Sequence, residues 1–496
     1  MTASPLLHRI VILVLFTTIC AFYCAAIRPG HDWDDDFAMY ILHARNLAEG
    51  RAYADTGYIF NPEYPLLGPA SYPPGFPILL APVWALRGLD LTALKLVGIA
   101  CFAGALAFVF CLDRAFSGSC LSPSARIVLV SLAALSPPFV VHVNFMGSDF
   151  PFLLFLFAAL FLMDRIYSHP NPPLISALPV TALMLAAYST RAIGLVLIPS
   201  LILFVLIRHR RISLSALLAS ALAGILFALE FLASDSLNSS SLFRLDGHTI
   251  ATNLWIYAVT LRHFFAGERT LSLVLWGVCT VLASIQFLRQ AASAKQVPIG
   301  WIFGLLYMLV LLVYQPNEPR FLFPVFPIYL ALALGALEGL LGLAASHWSM
   351  LAAAKSSAIT VALTSAAVVC FGAAYFFGAA YLGLDREPIR EGFLDPDFVQ
   401  VAAFLRDQTQ PADTILFRKP RLLALETRRH ALTYALAPGL GDFVQDVRPS
   451  YIVVTESPQV GLASDEQFLW PYIRNHEDAL RLVYRNSEFR VYHVLE

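Results

Sequence analysis

The sequence predicts a polytopic α-helical membrane protein, with about eleven transmembrane helices followed by a small extracytoplasmic α/β domain at the C-terminus. Three observations carry that reading. Hydrophobic residues make up 58% of the 496 and charged residues only 14%, whereas soluble domains carry roughly 25% charge, and the mean hydropathy is +0.68. The apolar residues fall in separated runs of about membrane-spanning length. The charges are segregated: 29 of the 67 lie in the last 111 residues. Residues 1–384 therefore read as the membrane domain and 385–496 as the soluble one.

The first run, residues 10–27, can cross most of a bilayer at about 1.5 Å of rise per residue. It is longer than the apolar core of a signal peptide, and more spans follow, so it reads as a span rather than a cleaved leader. His31-Asp32-Trp33-Asp34-Asp35-Asp36 comes next and opens an outer loop over 28–92. Apolar groups at Phe37, Ile41, Ala44 and Ala48 predict a short amphipathic helix lying on the membrane, started by the Asp run and ended by Gly50. The Pro- and Tyr-rich passage 58–77 cannot span, and 77–86 is apolar but short, interfacial or re-entrant in character. Further spans are expected near 93–112, 127–143, 151–163, 174–188, 193–207, 214–232, 271–288, 299–314, 321–343 and 358–382.

In the soluble part, alternation predicts strands over 414–417, 451–455, 480–484 and 489–495, the last two joined as a hairpin through Asn486-Ser487. Helices are expected over 398–406, 422–428 and 466–474. No phosphate loop, nucleophile elbow or zinc-protease motif occurs there, so it reads as a module without chemistry of its own.

Lys and Arg in the short loops set the orientation, with a cytoplasmic N-terminus. The acidic loop, Ser148-Asp149, Thr190-Arg191, Glu318-Pro319-Arg320 and the C-terminal domain then share the outer face. A net charge of −1 and the lack of a basic stripe exclude nucleic acid as a partner. No Cys-x-x-Cys or Cys/His ligand spacing is present, which argues against disulfides and zinc.

The candidate site residues are those outward polar groups. Carboxylates spaced as in Asp32-Trp33-Asp34 and Asp34-Asp35-Asp36 can hold a divalent cation or supply a general base. On pattern alone, a solvated cap of the following helix explains them at least as well. Asp149 begins a span, where it either faces a cavity or caps the helix. Arg191 lies between two apolar stretches and needs an anionic partner, a carboxylate or a ligand phosphate. Glu318 and Arg320 can pair with each other. Two carboxylate sites and two arginines on one membrane face suit a lipid phosphate reacting at the water interface.

In order and spacing, several pieces resemble the GT-C class of membrane glycosyltransferases, which use polyprenyl-phosphate sugars and include protein O-mannosyltransferases and the bacterial aminoarabinose transferase. They are Asp35-Asp36 with Tyr40 and Ala44-Arg45-Asn46-Leu47-Ala48-Glu49-Gly50, Ser148-Asp149-Phe150-Pro151, Thr190-Arg191-Ala192-Ile193-Gly194-Leu195, and Glu318-Pro319-Arg320-Phe321-Leu322-Phe323-Pro324. The resemblance implies a catalytic first-loop carboxylate and a second acid nearby. Asp36 matches the first acid by its position before Tyr40, but many relatives carry Asp-Glu there, so the choice between Asp35 and Asp36 stays open.

The reaction so implied is inverting transfer of a sugar from a polyprenyl-phosphate donor to a glycan, lipid or protein hydroxyl. Asp36 or Asp35 would be the base, Asp149 and Asp34 would position the acceptor or bind a metal, and Arg191 and Arg320 would hold the donor phosphate. Tyr40, His31 and Glu318 would support them. No cofactor is required, and a divalent cation, Mg or Mn, is left open. The protein would be a multi-pass integral protein among membrane lipids, in a bacterial inner membrane in preference to the endoplasmic reticulum. A lipid or solute transporter or flippase is the alternative, for which inverted repeats and mid-membrane ionisable groups would speak; Glu230 is among the few residues placed for that.

Overall fold

The computed structural model describes residues 5–64, 67–233, 243–265, 269–292, 297–315, 317–347, 387–434, 440–456 and 465–495. The expected run 358–382 lies outside the described residues, as does the side chain of Glu230. The membrane part is helical: α1 (Pro5–Ala25), α2 (Asp36–Glu49), α3 (Gly75–Arg87), α4 (Leu91–Cys111), α5 (Asp113–Ser117), α6 (Pro123–Leu135), α7 (Pro137–Val141), α8 (Asp149–Tyr167), α9 (Ala177–Thr190), α10 (Leu197–His209), α11 (Leu214–Ala233), α12 (Gly247–Arg262), α13 (Arg269–Ala291), α14 (Ile299–Val313) and α15 (Val325–His347). Five helical stretches among the described residues are long and apolar enough to cross a membrane: Leu91–Cys111, Asp149–Tyr167, Ala192–His209, Arg269–Ala291 and Val325–Leu343. The helix pair Pro123–Leu135 and Pro137–Asn144 is long and apolar enough only when taken together, as a broken span or a re-entrant loop, and is bent by 53° where Pro137-Pro138 removes two amide donors in succession. Shorter apolar helices occupy Arg9–Ala25, Gly75–Arg87, Leu174–Thr190, Leu214–Leu229 and Ile299–Val313. Helix α12, which no expected run covers, starts at an Asp246 cap that accepts from Thr249 N at 2.9 Å.

Helix α2 differs from its expectation. Phe37 through Asn46 are all buried, so the helix is enclosed rather than lying on a surface. Its polar residues are used as struts. Asn46 Nδ2 donates to the carbonyls of Ala52, Tyr53 and Asp55, and the His43 ring lies 4.1 Å from the Tyr53 ring. Gly50 ends the helix as expected, in the left-handed region at φ 66°.

The C-terminal domain holds α16 (Pro396–Gln408), β1 (Thr414–Leu416), α17 (Pro420–Thr427), β2 (His430–Leu432), α18 (Leu440–Val447), β3 (Tyr451–Thr455), α19 (Trp470–Asn475), β4 (Leu480–Arg485) and β5 (Phe489–Val494). The sheet order is β2-β1-β3-β5-β4. Strand β1 runs parallel to β2 and β3, with Ile415 opposite Ala431, and β5 runs antiparallel to β3 and β4, with Val453 opposite Val491. One face, with Ile415, Phe417, Val453 and Val491, packs in a single core with Phe37, Ile41 and Leu42 of α2. The other face buries Leu416, Ile452 and Val454 against Phe443 and Ile473.

The loop over 28–92 and this domain are interlocked. Tyr58 forms a parallel bridge with Ala431, adding the loop to the open edge of β2. Asn61 Nδ2 donates to Thr433 O at 2.8 Å. Gly30 at φ +85° and Gly392 at φ +86° mark the closest approach, since a Cβ at Gly30 would lie 2.5 Å from Ile389 O. Asp35 precedes α2 without capping it. Instead its Oδ1 accepts from Leu422 N at 2.8 Å and its Oδ2 from Arg421 N at 3.1 Å, capping α17 from 386 positions away. Asp35→Ala leaves two buried amides without that acceptor and is expected to destabilise the protein by about 2 kcal/mol. The loss should appear as a lower melting temperature with early protease cleavage in the C-terminal domain; unchanged melting would show that the cap is dispensable.

Candidate functional site

The polar ends of four elements meet beside α2. Asp36 is its first residue and Asp149 the first residue of α8, so both carboxylates sit at the electropositive ends of helices. Arg191 occupies the break between α9 and the 3₁₀ turn Ala192–Val196, in extended backbone. Arg320 lies in the 3₁₀ turn Pro319–Leu322. An aromatic layer under them fixes these ends: Phe139 stacks on Phe102 and Phe323, with centroids 5.1 and 4.3 Å apart, and Phe150 lies 4.5 Å from Phe102. Phe150 follows Asp149, and Phe323 closes the Arg320 turn, so packing the rings brings the charges together.

Asp149 is nearly enclosed, 4% exposed. Arg191 Nη1 donates to its Oδ1, and His142 Nε2 lies 3.3 Å from its Oδ2. Arg320 stands between the two carboxylates, 4.0 Å from Asp149 Oδ2 and 3.7 Å from Asp36 Oδ2, while its Nε pairs with Glu318 Oε2 at 2.7 Å. Its guanidinium lies 4.7 Å over the Phe145 ring. Burial opposes the charge on Arg320, but Asp149, Glu318, Asp36 and Asp34 outweigh it and raise its pKa. Glu318 itself is about half exposed.

Asp36 is the more open acid, its side chain 28% exposed. Tyr72 OH donates to its Oδ1 at 2.5 Å, and Arg421 Nη1 donates to the same oxygen at 3.1 Å. Oδ2 is left toward Arg320. Tyr72 is held from behind by His43, whose Nε2 accepts Tyr72 N at 3.1 Å while its Nδ1 faces Tyr53 O at 2.9 Å. That pattern needs a neutral imidazole protonated on Nδ1, and burial pushes its pKa down to about 4. Tyr40 OH donates to Ser148 Oγ at 3.0 Å, tying α2 to the start of α8. His31 is buried away from this cluster, stacked 3.8 Å from Phe37, with Nε2 accepting Met146 N at 3.2 Å.

Asp34 lies at the rim, its Oδ1 accepting Asp36 N at 3.1 Å. Burial first, and the Asp36 charge second, push its carboxyl from 3.8 up to about 7, against the pull of Arg320. A folded value above the unfolded one means that the native state binds more protons between those two values. Stability from this group therefore falls as pH rises from about 4 to about 7 and stays at the lower level beyond. Asp34→Asn removes that loss. The melting temperature of the variant relative to the wild type is expected to climb by several degrees between pH 5 and pH 8, and a flat difference would show that Asp34 ionises in the ordinary range.

Of the residues singled out from the sequence, Asp36, Asp149, Arg191, Arg320 and Glu318 form one connected network, and Tyr40 and Asp34 border it. Asp35 and His31 serve the surrounding frame. Tyr72, His142 and Arg421 were not anticipated. Tyr72 belongs to the Pro/Tyr-rich passage already placed beside the acidic loop, whereas nothing near Arg421 in the sequence marks it out.

Among the described residues, Asp395, Asp397 and Glu488 form the group of three carboxylates close enough to share a cation, their oxygens within 4.8 Å of one another. It lies at the start of α16 and the β4–β5 turn, apart from the charged network. Within the network, guanidinium groups already neutralise Asp36 and Asp149.

The whole-chain architecture has solved counterparts. ArnT from Cupriavidus metallidurans bound to undecaprenyl phosphate matches with a TM-score of 0.58 and 14% identity, over 97% of this chain and 97% of that one. Its apo state matches with a TM-score of 0.56 and 15% identity, over 98% and 97%. The oligosaccharyltransferase AglB from Archaeoglobus fulgidus, in complex with an inhibitory peptide and a dolichol-phosphate, matches with a TM-score of 0.55 and 11% identity, over 90% of this chain and 69% of that one. The fold is that of GT-C glycosyltransferases. No family model and no curated protein matches the chain.

Proposed function

We propose that this GT-C-fold protein is an inverting glycosyltransferase that moves a sugar from a polyprenyl-phosphate carrier to an acceptor hydroxyl at the outer face of the membrane. The observation that carries the reading is the pairing of Asp36, one oxygen held and the other free, with Arg320, which joins it to the Asp149–Arg191 pair. Asp36 Oδ2 takes the proton of the acceptor hydroxyl. The acceptor oxygen forms a bond to the anomeric carbon from the side opposite the phosphate, the carbon–oxygen bond to phosphate breaks, and its electron pair leaves on the carrier. A phosphate is already a weak base, so no general acid is needed. Arg320 and Arg191 stabilise its charge, with Arg191 offering the guanidinium nitrogens that Asp149 does not use.

Undecaprenyl phosphate and dolichol-phosphate accompany the similar structures, which favours a polyprenyl carrier here. Asp149 and Asp34 order the acceptor side, Tyr40, His31 and Glu318 hold the frame, and Asp35 anchors the C-terminal domain rather than meeting substrate. A divalent cation fits the cleft poorly, because its carboxylates face arginines; no step above runs through one. In this reading the site lies at the outer surface of a multi-pass membrane protein, with the N-terminus inside and the C-terminal domain outside, as the Lys and Arg of the short loops favour, and a bacterial inner membrane is the setting. A transporter is less well supported, because the ionisable residues gather at helix ends rather than along a mid-membrane path.

The deciding experiment incubates the purified protein with a panel of radiolabelled undecaprenyl-phosphate hexoses and pentoses and membrane extracts. Label should move from carrier to one extract fraction with inversion at the anomeric carbon. Failure of every donor, with label translocated instead across proteoliposomes, would establish the transporter.

A further inference from the structure

We propose that Arg421 is a positioning residue that aims the Asp36 carboxylate, so that the C-terminal domain supplies part of the active site; this rests on the reading of Asp36 as the base. Consecutive carboxylates of the first loop grip this one residue in two ways. Asp35 Oδ2 accepts the Arg421 backbone N–H, and Asp36 Oδ1 accepts its Nη1. The guanidinium is held through both terminal nitrogens and between two rings, while its Nε is buried without a hydrogen-bond partner. It lies 4.7 Å over the Tyr58 ring and 4.8 Å over the Tyr72 ring, Nη1 donates to Tyr72 OH at 2.6 Å, and Nη2 reaches Pro69 O at 3.4 Å.

Arg421 is 0% exposed, so it does not meet substrate and acts only through Asp36. A carboxylate at the start of a helix can turn about two side-chain bonds. With Tyr72 and Arg421 both on Oδ1, that rotation is stopped, and Oδ2 is presented toward Arg320. Docking of the domain does not depend on this contact. The Asp35 cap, the Tyr58–Ala431 bridge and the Asn61–Thr433 bond already hold the domain in place. A guanidinium spent on Asp36 therefore serves orientation, and an error of about 1 Å in a reacting group lowers the rate about 10²-fold.

The test uses the full chain in detergent with the undecaprenyl-phosphate sugar that the panel identifies. Arg421→Gln is expected to lower kcat per folded molecule about 10²-fold with donor KM within about twofold. Arg421→Lys should recover part of that loss, and Tyr72→Phe should lose about tenfold. A purely structural arginine would lower the melting temperature and leave kcat per folded molecule within about threefold of wild type, which would overturn the proposal. A readout without substrate separates this from the base assignment: labelling of Asp36 by dicyclohexylcarbodiimide at pH 7, located by fragment mass spectrometry. Freed from its partner in Arg421→Gln, Asp36 should label several-fold faster, and unchanged labelling would also overturn the proposal. If Asp36→Asn transfers normally, the base assignment fails, and the labelling result alone then decides whether Arg421 holds Asp36. Should Arg421→Gln not fold, Tyr72→Phe decides: a loss of about tenfold in kcat with faster labelling of Asp36 supports the proposal, and kcat within about threefold of wild type with unchanged labelling overturns it.

Discussion

Asp36→Asn is expected to lower sugar transfer about 10²–10⁴-fold, the range that removal of a positioned general base produces. The substitution keeps the shape of the side chain. An amide oxygen in place of Oδ1 can still accept from Tyr72 OH and Arg421 Nη1, so the local geometry survives while the proton acceptor is lost. Stability falls too, because the fully buried Arg421 guanidinium loses its charged acceptor and keeps neutral ones, the new amide oxygen, Tyr72 OH and Pro69 O, with the Asp35 carboxylate engaged on its backbone N–H. Weakening one charge-assisted bond of this kind costs about 1–3 kcal/mol. Activity is therefore compared per folded molecule, after gel filtration and a melting curve. Donor KM should stay near the wild-type value, because the phosphate ligands are untouched. A variant that turns over within about threefold of wild type would move the base elsewhere. Asp35→Asn serves as the contrast. It weakens the α17 cap without removing the proton acceptor, so its effect on transfer should be much the smaller.

The contrast between these neighbours shows what a single sequence reveals and what it hides. Asp36, Asp149, Arg191 and Arg320 were legible because each borders an apolar run, and a charge at such a boundary stands out against its surroundings. Asp35 was misleading for a related reason. Local pattern assigns an acid before a helix to that helix, whereas this one caps α17 across 386 positions. Hydrophobic periodicity likewise gave α2 its length and its Gly50 stop, but not what its polar residues His43 and Asn46 would meet. In the fold both are buried, the His43 ring held by Tyr53 and Tyr72 and the Asn46 amide nitrogen by the carbonyls of Ala52, Tyr53 and Asp55. Strand β2, His430–Leu432, was not anticipated. Arg421 is one of 13 basic residues in the soluble part, and its role depends wholly on contacts made after that domain docks. The resemblance supplied the common fold; the side chains that complete the site came only with the tertiary arrangement.

Asp149→Ala has the second large expected effect, and it separates two roles that the same carboxylate fills. With the acid gone, Arg191, Arg320 and His142 face one another in a site that is almost closed. Removing one partner of a buried ion pair typically costs about 3–5 kcal/mol, because the remaining charge keeps its desolvation penalty. The single variant should therefore melt well below wild type and transfer no sugar. That result alone does not distinguish a scaffold from a phosphate site. The double variant Asp149→Ala/Arg191→Leu does, since replacing a buried pair by apolar groups is often neutral or stabilising. Its melting temperature should return most of the way to wild type, and the Phe321 ring, 5.4 Å from the Arg191 guanidinium, offers an apolar contact for the new leucine. Transfer should stay absent, because one of the two guanidinium groups assigned to the donor phosphate is missing. Recovery of transfer together with stability would reduce the Asp149–Arg191 pair to a structural strut and leave Arg320 as the phosphate ligand. Arg320→Gln in the wild-type background checks the remaining half: it should raise donor KM and lower kcat together, because this guanidinium faces both carboxylates and is the one proposed to meet the leaving phosphate.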